Sequence, residues 1–410
     1  MISYNIQSRS TLAVRQSGAL VIVPVRFRWP IWQFQWPDAP RTPDGAHSPA
    51  KCYRADCERR EQLKQMIEQA IGSLSVLGPV ALLAFVLSWM LTVLLRPWLA
   101  RHAMARPNAR SSHYHPTPQG GGIAVVVATL SVAWGAAALS PALLQNQGGQ
   151  FLALTAATAL LAVVGAIDDM RSLPAAMRLA TQCIAVGVVI TALPTGLQIL
   201  PYVPWSIERA CLFLAGVWFV NLVNFMDGID WMTVAELVPL TSAIVVLGLA
   251  GALDLLPALV ATALLGAIVG FAPFNRPVAQ VFLGDVGSLP IGLLLGWFLL
   301  QLAGTGHLAA ALILPLYYLA DATITLARRI VRREAIWQAH RTHFYQRATD
   351  HGLTVREIVT RVFLVNLALA VFAFITVAAP NIVVSLAMLG ASAATIFWLL
   401  AAFAHMKHRG

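Results

Sequence analysis

Twelve acidic residues follow residue 73, and five of them fall in three short segments that carry glycine. Asp168 and Asp169 close Gly165-Ala-Ile-Asp-Asp169. Asp227 and Asp230 stand in Asn224-Phe-Met-Asp-Gly-Ile-Asp230, and Asp285 in Phe282-Leu-Gly-Asp-Val-Gly-Ser288. Each aspartate alone also reads as a solvated helix end. Five together repel one another unless a cation or a substrate neutralises them. Hard oxygen ligands of this kind suit Mg²⁺, which takes one or two carboxylates and completes its shell with substrate phosphate oxygens. In the adjacent pair, double ionisation is disfavoured, so one carboxyl can bind metal while the other takes a proton. Such a base is useful where an attacking phosphate must be deprotonated. Gly228, Gly284 and Gly287 would let backbone N–H groups approach phosphate, or serve only as helix-end turns.

Two further segments carry chemistry of their own. In His340-Arg-Thr-His-Phe-Tyr-Gln-Arg347, a helix would put His340, His343 and Arg347 on one face. No nearby carboxylate or cysteine completes a zinc set, so the Arg and His groups point to an anion, which arginine grips through two N–H groups at once. The plainer reading is an amphipathic helix lying on anionic lipid. The run from Arg106 to Gly122 ends in three glycines and could cradle phosphate or nucleotide, or simply turn into the next helix. Asp321 stands inside an apolar run, where a carboxylate must face the protein interior and pair there. Arg328, two turns away, is too distant to be its helical partner, so its partner is left open. Cys183 and Cys211 lie in apolar runs as small hydrophobes, and Cys52 and Cys57 have no metal-type spacing.

The elements that position these groups are apolar helices. Of the 410 residues 58% are hydrophobic and only 11% charged, too few charges to wet the surface of a soluble protein. Eleven apolar runs follow one another: 74–95, 122–139, 151–167, 175–193, 207–223, 237–253, 259–274, 289–302, 308–326, 359–378 and 382–403. The fifth, seventh and eighth are short, so ten spans are also possible. Helices are required because lipid cannot satisfy unpaired backbone groups. The expected fold is therefore an all-α, polytopic transmembrane bundle of about eleven spans.

The net charge of +10 does not call for nucleic acid. Its basic residues sit in alternate loops: Arg96, Arg101, Arg106 and Arg110, then Arg171 and Arg178, then Arg276, then Arg328 through Arg356. The positive-inside rule puts those loops, and with them all five aspartates, on the cytoplasmic side. Residues 1–73 do not fit the pattern. They hold ten Lys or Arg yet fall outside, and they show no sustained periodicity and no signal-peptide pattern. They are expected to be a disordered extension, or an over-extended reading frame with Met66 as the start; residues 74–410 form the membrane domain.

In this order, Pro116-Thr-Pro-Gln-Gly-Gly-Gly122, the Asp168–Asp169 pair, Asn224 to Asp230, Phe282 to Ser288 and His340 to Arg347 resemble the polyprenyl-phosphate N-acetylhexosamine-1-phosphate transferases, glycosyltransferase family 4 of the WecA/MraY type. The likeness runs from about residue 74 to the C-terminus. It implies a Mg²⁺-dependent enzyme, with Mn²⁺ as the alternative ion, that joins a UDP-N-acetylhexosamine to undecaprenyl phosphate in the bacterial inner membrane and releases UMP. It further implies that Asp285 is a metal ligand, and that Asp168 and Asp169 accept the lipid-phosphate proton or help hold the metal. By the same resemblance Phe282 stacks on uracil, Asp230 lies near that base, and Asn224 and Asp227 line the pocket. His340, Arg341 and His343 would contact diphosphate and sugar. A homodimer is compatible with it.

Two departures bear on that resemblance. Trp231 and Met232 follow Asp230 where the family has Gly-Leu or Gly-Ile, which questions the local turn and the uridine pocket. The last basic loop lacks consecutive histidines, and so looks like enzymes that start O-antigen or other surface polysaccharides. A secondary transporter would instead gather its ionisable groups near the bilayer midplane, and an inactive relative could serve as an assembly partner.

Overall fold

The computed structural model describes residues 10–16, 19–25, 49–105, 116–145, 147–334 and 341–405, with side chains from residue 72 onward except residues 73 and 405. Contacts divide the chain into two units, Met1–Arg59 and Arg60–Gly410. In the first, β1 (Ser10–Gln16) pairs antiparallel with β2 (Ala19–Val25), Ser10 opposite Val25 and Gln16 opposite Ala19. The all-α expectation does not include this hairpin.

The second unit is a helical bundle that accounts for all eleven apolar runs. Helix α1 (Pro49–His102) starts well before its apolar run. There follow a two-residue pair, β3 (Met104–Ala105) with β4 (Thr117–Pro118), and then α2 (Gly122–Leu139), α3 (Gly148–Met170), α4 (Ala175–Thr191), α5 (Trp205–Met226), α6 (Met232–Leu249), α7 (Leu255–Phe271) and α8 (Asp285–Gly304). Among the described residues nine helices are long and apolar enough to cross a membrane, so the chain is a multi-pass membrane protein. The other two runs differ for local reasons. Helix α4 has only 17 residues. The run at 308–326 is broken at Pro315 into α9 (Leu308–Ile313) and α10 (Leu316–Val331), because proline has no N–H to give and its ring crowds the preceding turn.

The chain closes with α11 (Phe344–Asp350), α12 (Val355–Ala378) and α13 (Ile382–His405). A capping box starts α12: Glu357 N donates to Thr354 Oγ1 at 3.2 Å, and Thr354 N to Glu357 Oε2 at 2.8 Å. Between spans, Asn366 Nδ2 on α12 donates to Glu236 Oε2 of α6 at 2.6 Å, the kind of interhelical bond that joins helices lipid alone would not drive together. Helix α8 lies at the centre, packed on α3, α5 and α2, with Trp297 and Phe298 fully buried. Its N-terminus therefore meets the C-terminal ends of α3 and α5, the ends that carry the aspartates.

Candidate active site

The site is built around the first turn of α8. Gly284 precedes it at φ 78°, a left-handed conformation that glycine adopts freely. Asp169, at the end of α3, accepts from Asp285 N at 2.9 Å through Oδ1 and from Val286 N at 3.2 Å through Oδ2. These are N–H groups that a helix leaves without internal partners, so Asp169 caps α8 from a different helix. A Cβ at Gly165 would lie 2.5 Å from the Asp285 backbone, which explains the glycine on the facing turn of α3.

Asp168 points elsewhere. Its Oδ1 accepts from Leu173 N at 2.5 Å and its Oδ2 from Arg178 Nη1 at 3.0 Å. The same Arg178 nitrogen lies 3.6 Å from Asp285 Oδ2, and the carboxyls of Asp168 and Asp285 adjoin. Asn224 Nδ2 donates to Asp285 Oδ1 at 2.8 Å and to Ser288 Oγ at 2.9 Å, fixing the other side of that carboxylate. Asp227 accepts from the Thr233 hydroxyl. Burial pushes the Asp227 carboxyl up to about 7; the Thr233 bond opposes this, and the charges of Asp285 and Asp230 add to it. Asp230 Oδ2 accepts from Ala279 N at 3.0 Å.

Asp169, Asn224, Asp227, Asp230, Phe282 and Asp285 thus line one polar cavity of about 210 Å³, joined by Gln119, Asn275 and Ser288. Half-buried Phe282 forms part of its wall. The triple glycine does not cradle phosphate with its N–H groups. Gly120 N and Gly121 N donate to Phe282 O at 3.2 and 2.9 Å, and Gly122 N to Leu283 O at 2.8 Å. These bonds splice the loop onto the segment before α8. Gly287 N likewise donates to Gly284 O, and a Cβ on Gly287 would sit 2.8 Å from Gly122 Cα. Both glycines serve close helix packing.

Trp231 keeps the turn that glycine would favour. It adopts φ 61° and ψ 2°, at a cost on the order of 1–3 kcal/mol for a non-glycine residue. Two bonds hold it there: Trp231 N to Asn275 Oδ1 at 2.9 Å and Nε1 to Ala272 O at 2.7 Å. Since Asn275 lines the cavity, the tryptophan is tied to the pocket wall.

The basic motif behaves differently from its expected helix. His340 lies outside the described residues. The helix begins only at Phe344, with His343 as its N-cap, so His343 and Arg347 do not share a continuous helical face. Arg341 Nη2 pairs with Asp350 Oδ1 at 3.2 Å and donates to Thr349 Oγ1 at 2.9 Å. Neither Arg341 nor His343 lines the cavity. The partner that the sequence left open for Asp321 is His343, whose Nδ1 lies 3.2 Å from Asp321 Oδ1. Gln119 and Ser288 join the site from segments that the sequence already singles out, while Arg178 and Asn275 join it unexpected. Of the last two, only Arg178 had a usable signal, a cation ten residues after Asp168 at the start of the next helix.

Among the described residues no three His, Cys, Asp or Glu side chains are arranged to close around a metal ion. The donor set fits Mg²⁺ nonetheless, since that ion needs one or two carboxylates and takes phosphate for the rest. Asp168 and Asp285 already converge on one positively charged nitrogen, that of Arg178.

Among the described residues, helices of membrane length thus surround a carboxylate-lined pocket at the ends of α3, α5 and α8. Residues 151–303, which take in all of α5 and most of α3 and α8, match the family described as Glycosyl transferase family 4. The chain is 26% identical over 312 residues, 71% of its length and 84% of the relative's, to a probable undecaprenyl-phosphate N-acetylglucosaminyl 1-phosphate transferase of Bacillus subtilis. It is 28% identical over 339 residues, 74% of its length and 84% of the relative's, to a decaprenyl-phosphate N-acetylglucosaminephosphotransferase of Mycobacterium leprae. With a phospho-N-acetylmuramoyl-pentapeptide-transferase of Streptococcus pneumoniae it shares 30% identity over 190 residues, 43% of its length and 56% of the relative's. Residues 151–303 are thus similar to glycosyl transferase family 4, and most of the chain is similar to these polyprenyl-phosphate N-acetylglucosamine-1-phosphate transferases.

Proposed function

We propose that this protein transfers N-acetylhexosamine-1-phosphate from a UDP-sugar to undecaprenyl phosphate at the cytoplasmic face of a bacterial inner membrane. The products are polyprenyl-diphospho-sugar and UMP, and the step starts a cell-envelope polysaccharide such as an O-antigen. The observation that carries the reading is the convergence of aspartates from α3, α5 and α8 on one polar cavity beside membrane-length helices. The names of the relatives support the acceptor and the sugar-1-phosphate group.

In the reaction an oxygen of the lipid phosphate forms a bond to the β-phosphorus of the UDP-sugar. The bond from that phosphorus to the bridging oxygen breaks, and its electron pair leaves with UMP. Transfers of this kind ask the protein mainly for positioning and charge stabilisation. Asp168 and Asp285 would hold Mg²⁺, which when bound neutralises diphosphate charge. Asn224 keeps Asp285 aimed, while Asp169 keeps the α8 terminus, and so Asp285 itself, in place. Arg178, displaced from the two carboxylates, would offer its charge to the acceptor phosphate. Phe282 presents a ring to the base, with Asp230 and Asn275 beside it.

A second, apolar cavity supports a seat for the acceptor's tail. Val189 of α4, Trp218 of α5, Gly292, Trp297 and Leu300 of α8 and Leu319 of α10 line an apolar cavity of about 290 Å³, suited to an isoprenoid chain that stays in the bilayer. The test is UMP release by the purified protein given undecaprenyl phosphate, Mg²⁺ and a panel of UDP-N-acetylhexosamines. Release with at least one sugar, dependent on both lipid and metal, is expected. No release with any of them would overturn the reading.

A further inference from the structure

Asp321 is a fully buried carboxylate on α10, and five donors converge on it. Its Oδ1 accepts from Phe344 N at 3.0 Å, His343 Nδ1 at 3.2 Å and Thr325 Oγ1 at 3.4 Å. Its Oδ2 accepts from Tyr345 N at 3.3 Å and Tyr317 Oη at 3.4 Å. The contact holds the His343 ring against the carboxylate. The two backbone N–H groups belong to the first turn of α11, and helix ends leave such groups without internal partners. Asp321 therefore caps α11 across 23 residues of sequence, as Asp169 caps α8.

The capped turn reaches the carboxylate pocket. Tyr345, whose N–H Asp321 holds, donates its hydroxyl to Phe225 O at 3.1 Å. Any side chain at Gly228 would collide with that hydroxyl. Phe225 and Gly228 lie in the corner that carries Asn224 and Asp227. On the other side Arg328 stacks over the Phe344 ring at 4.5 Å, so α11 is clamped from both directions.

We propose that Asp321 is a positioning residue for the transfer. By capping α11 and orienting His343, it fixes the basic motif at one spacing from the corner of Asn224 and Asp227, with Tyr345 as the link. The proposal rests on the transferase reading for its kinetic consequences, but the docking itself does not.

The test uses the full-length protein in detergent micelles. Asp321→Asn should lower kcat by about tenfold or more, since small misplacements of catalytic groups are costly, with KM for the UDP-sugar within about threefold. In a His343→Gln background the same change should cost less than about threefold, because residues acting as one unit are not additive. Fully additive losses, or a change confined to KM, would overturn it. Should Asp321→Asn fail to purify as a monodisperse species, Tyr345→Phe provides a second reading. It removes only the hydroxyl at the far end of the link and should lower kcat about threefold or more at constant KM; an unchanged kcat would overturn the proposal. Trypsin cleavage at Arg341 and Arg347, followed by peptide mapping, reads the docking without any turnover. The wild type should be protected, and Asp321→Asn cut about tenfold faster; equal rates would overturn the proposal. A wild type that releases no UMP but shows this protease difference would sink the transferase reading and leave the docking standing.

Discussion

The two ends of α5 carry similar polar side chains and use them in opposite ways. At its N-terminal end, Glu208 Oε1 accepts from Ile199 N at 2.6 Å and Leu200 N at 2.8 Å. Beside it, Arg209 Nη2 donates to Pro194 O at 2.9 Å and Leu197 O at 2.7 Å. All four partners lie in the loop just before the helix, so these charges complete a local turn. At the C-terminal end, Asn224 reaches Asp285 and Ser288, 61 and 64 residues away, and Asp230 reaches Ala279, 49 residues away. Here, among the described residues, Arg178 meets both Asp168 and Asp285. Charge that finishes a turn has structural work. Charge gathered from separate helices around a cavity, and left in excess, is open to a cation and to anionic substrates.

Mutations at the two ends should separate these uses. The largest effect is expected for Asp285→Asn, which should lower UMP release by about 10³-fold, the scale of losing a key electrostatic group. Its thermal unfolding should stay within a few degrees, because the backbone N–H that Asp169 caps remains. Asp169→Ala should also lose activity, but it should in addition lose about 0.5–2 kcal/mol of stability with the cap. A melt showing Asp169→Ala as stable as the wild type would refute the capping role. Arg178→Ala should lower kcat about tenfold, a smaller electrostatic loss than that of Asp285. It should also reduce the Mg²⁺ concentration needed for half-maximal activity, since a competing cation has gone; a raised Mg²⁺ requirement would contradict the arrangement. The smallest effect on activity belongs to Arg209→Met at the other end. Turnover should stay within about twofold, while stability falls by about 1–3 kcal/mol as two carbonyls lose a charged donor.

Much of this was legible in the sequence for physical reasons. Lipid demands long apolar runs, and all eleven are found again as helices or helix pairs. Carboxylates are scarce after residue 73, so their grouping in three short segments stood out, and six of the expected residues line one cavity. What was hidden depends on which helices touch. Nothing local distinguishes Asp168, facing Arg178, from Asp169, facing the α8 terminus. The pairing of Asp321 with His343 arises only once α11 folds back on α10. Pro315 was visible inside its apolar run and could have foretold the break between α9 and α10. The glycines at 120–122 look the same whether their N–H groups bind phosphate or the carbonyls of Phe282 and Leu283.

The proposed reaction turns on a divalent cation that Asp285 and Asp168 would hold against the phosphates of the bound UDP-sugar. Electron paramagnetic resonance of Mn²⁺ added to the purified protein with UDP-sugar tests it most directly. One tightly bound ion per chain is expected, coupled to ³¹P of the nucleotide and lost in Asp285→Asn. Undiminished Mn²⁺ binding with the same phosphorus coupling in Asp285→Asn would contradict it.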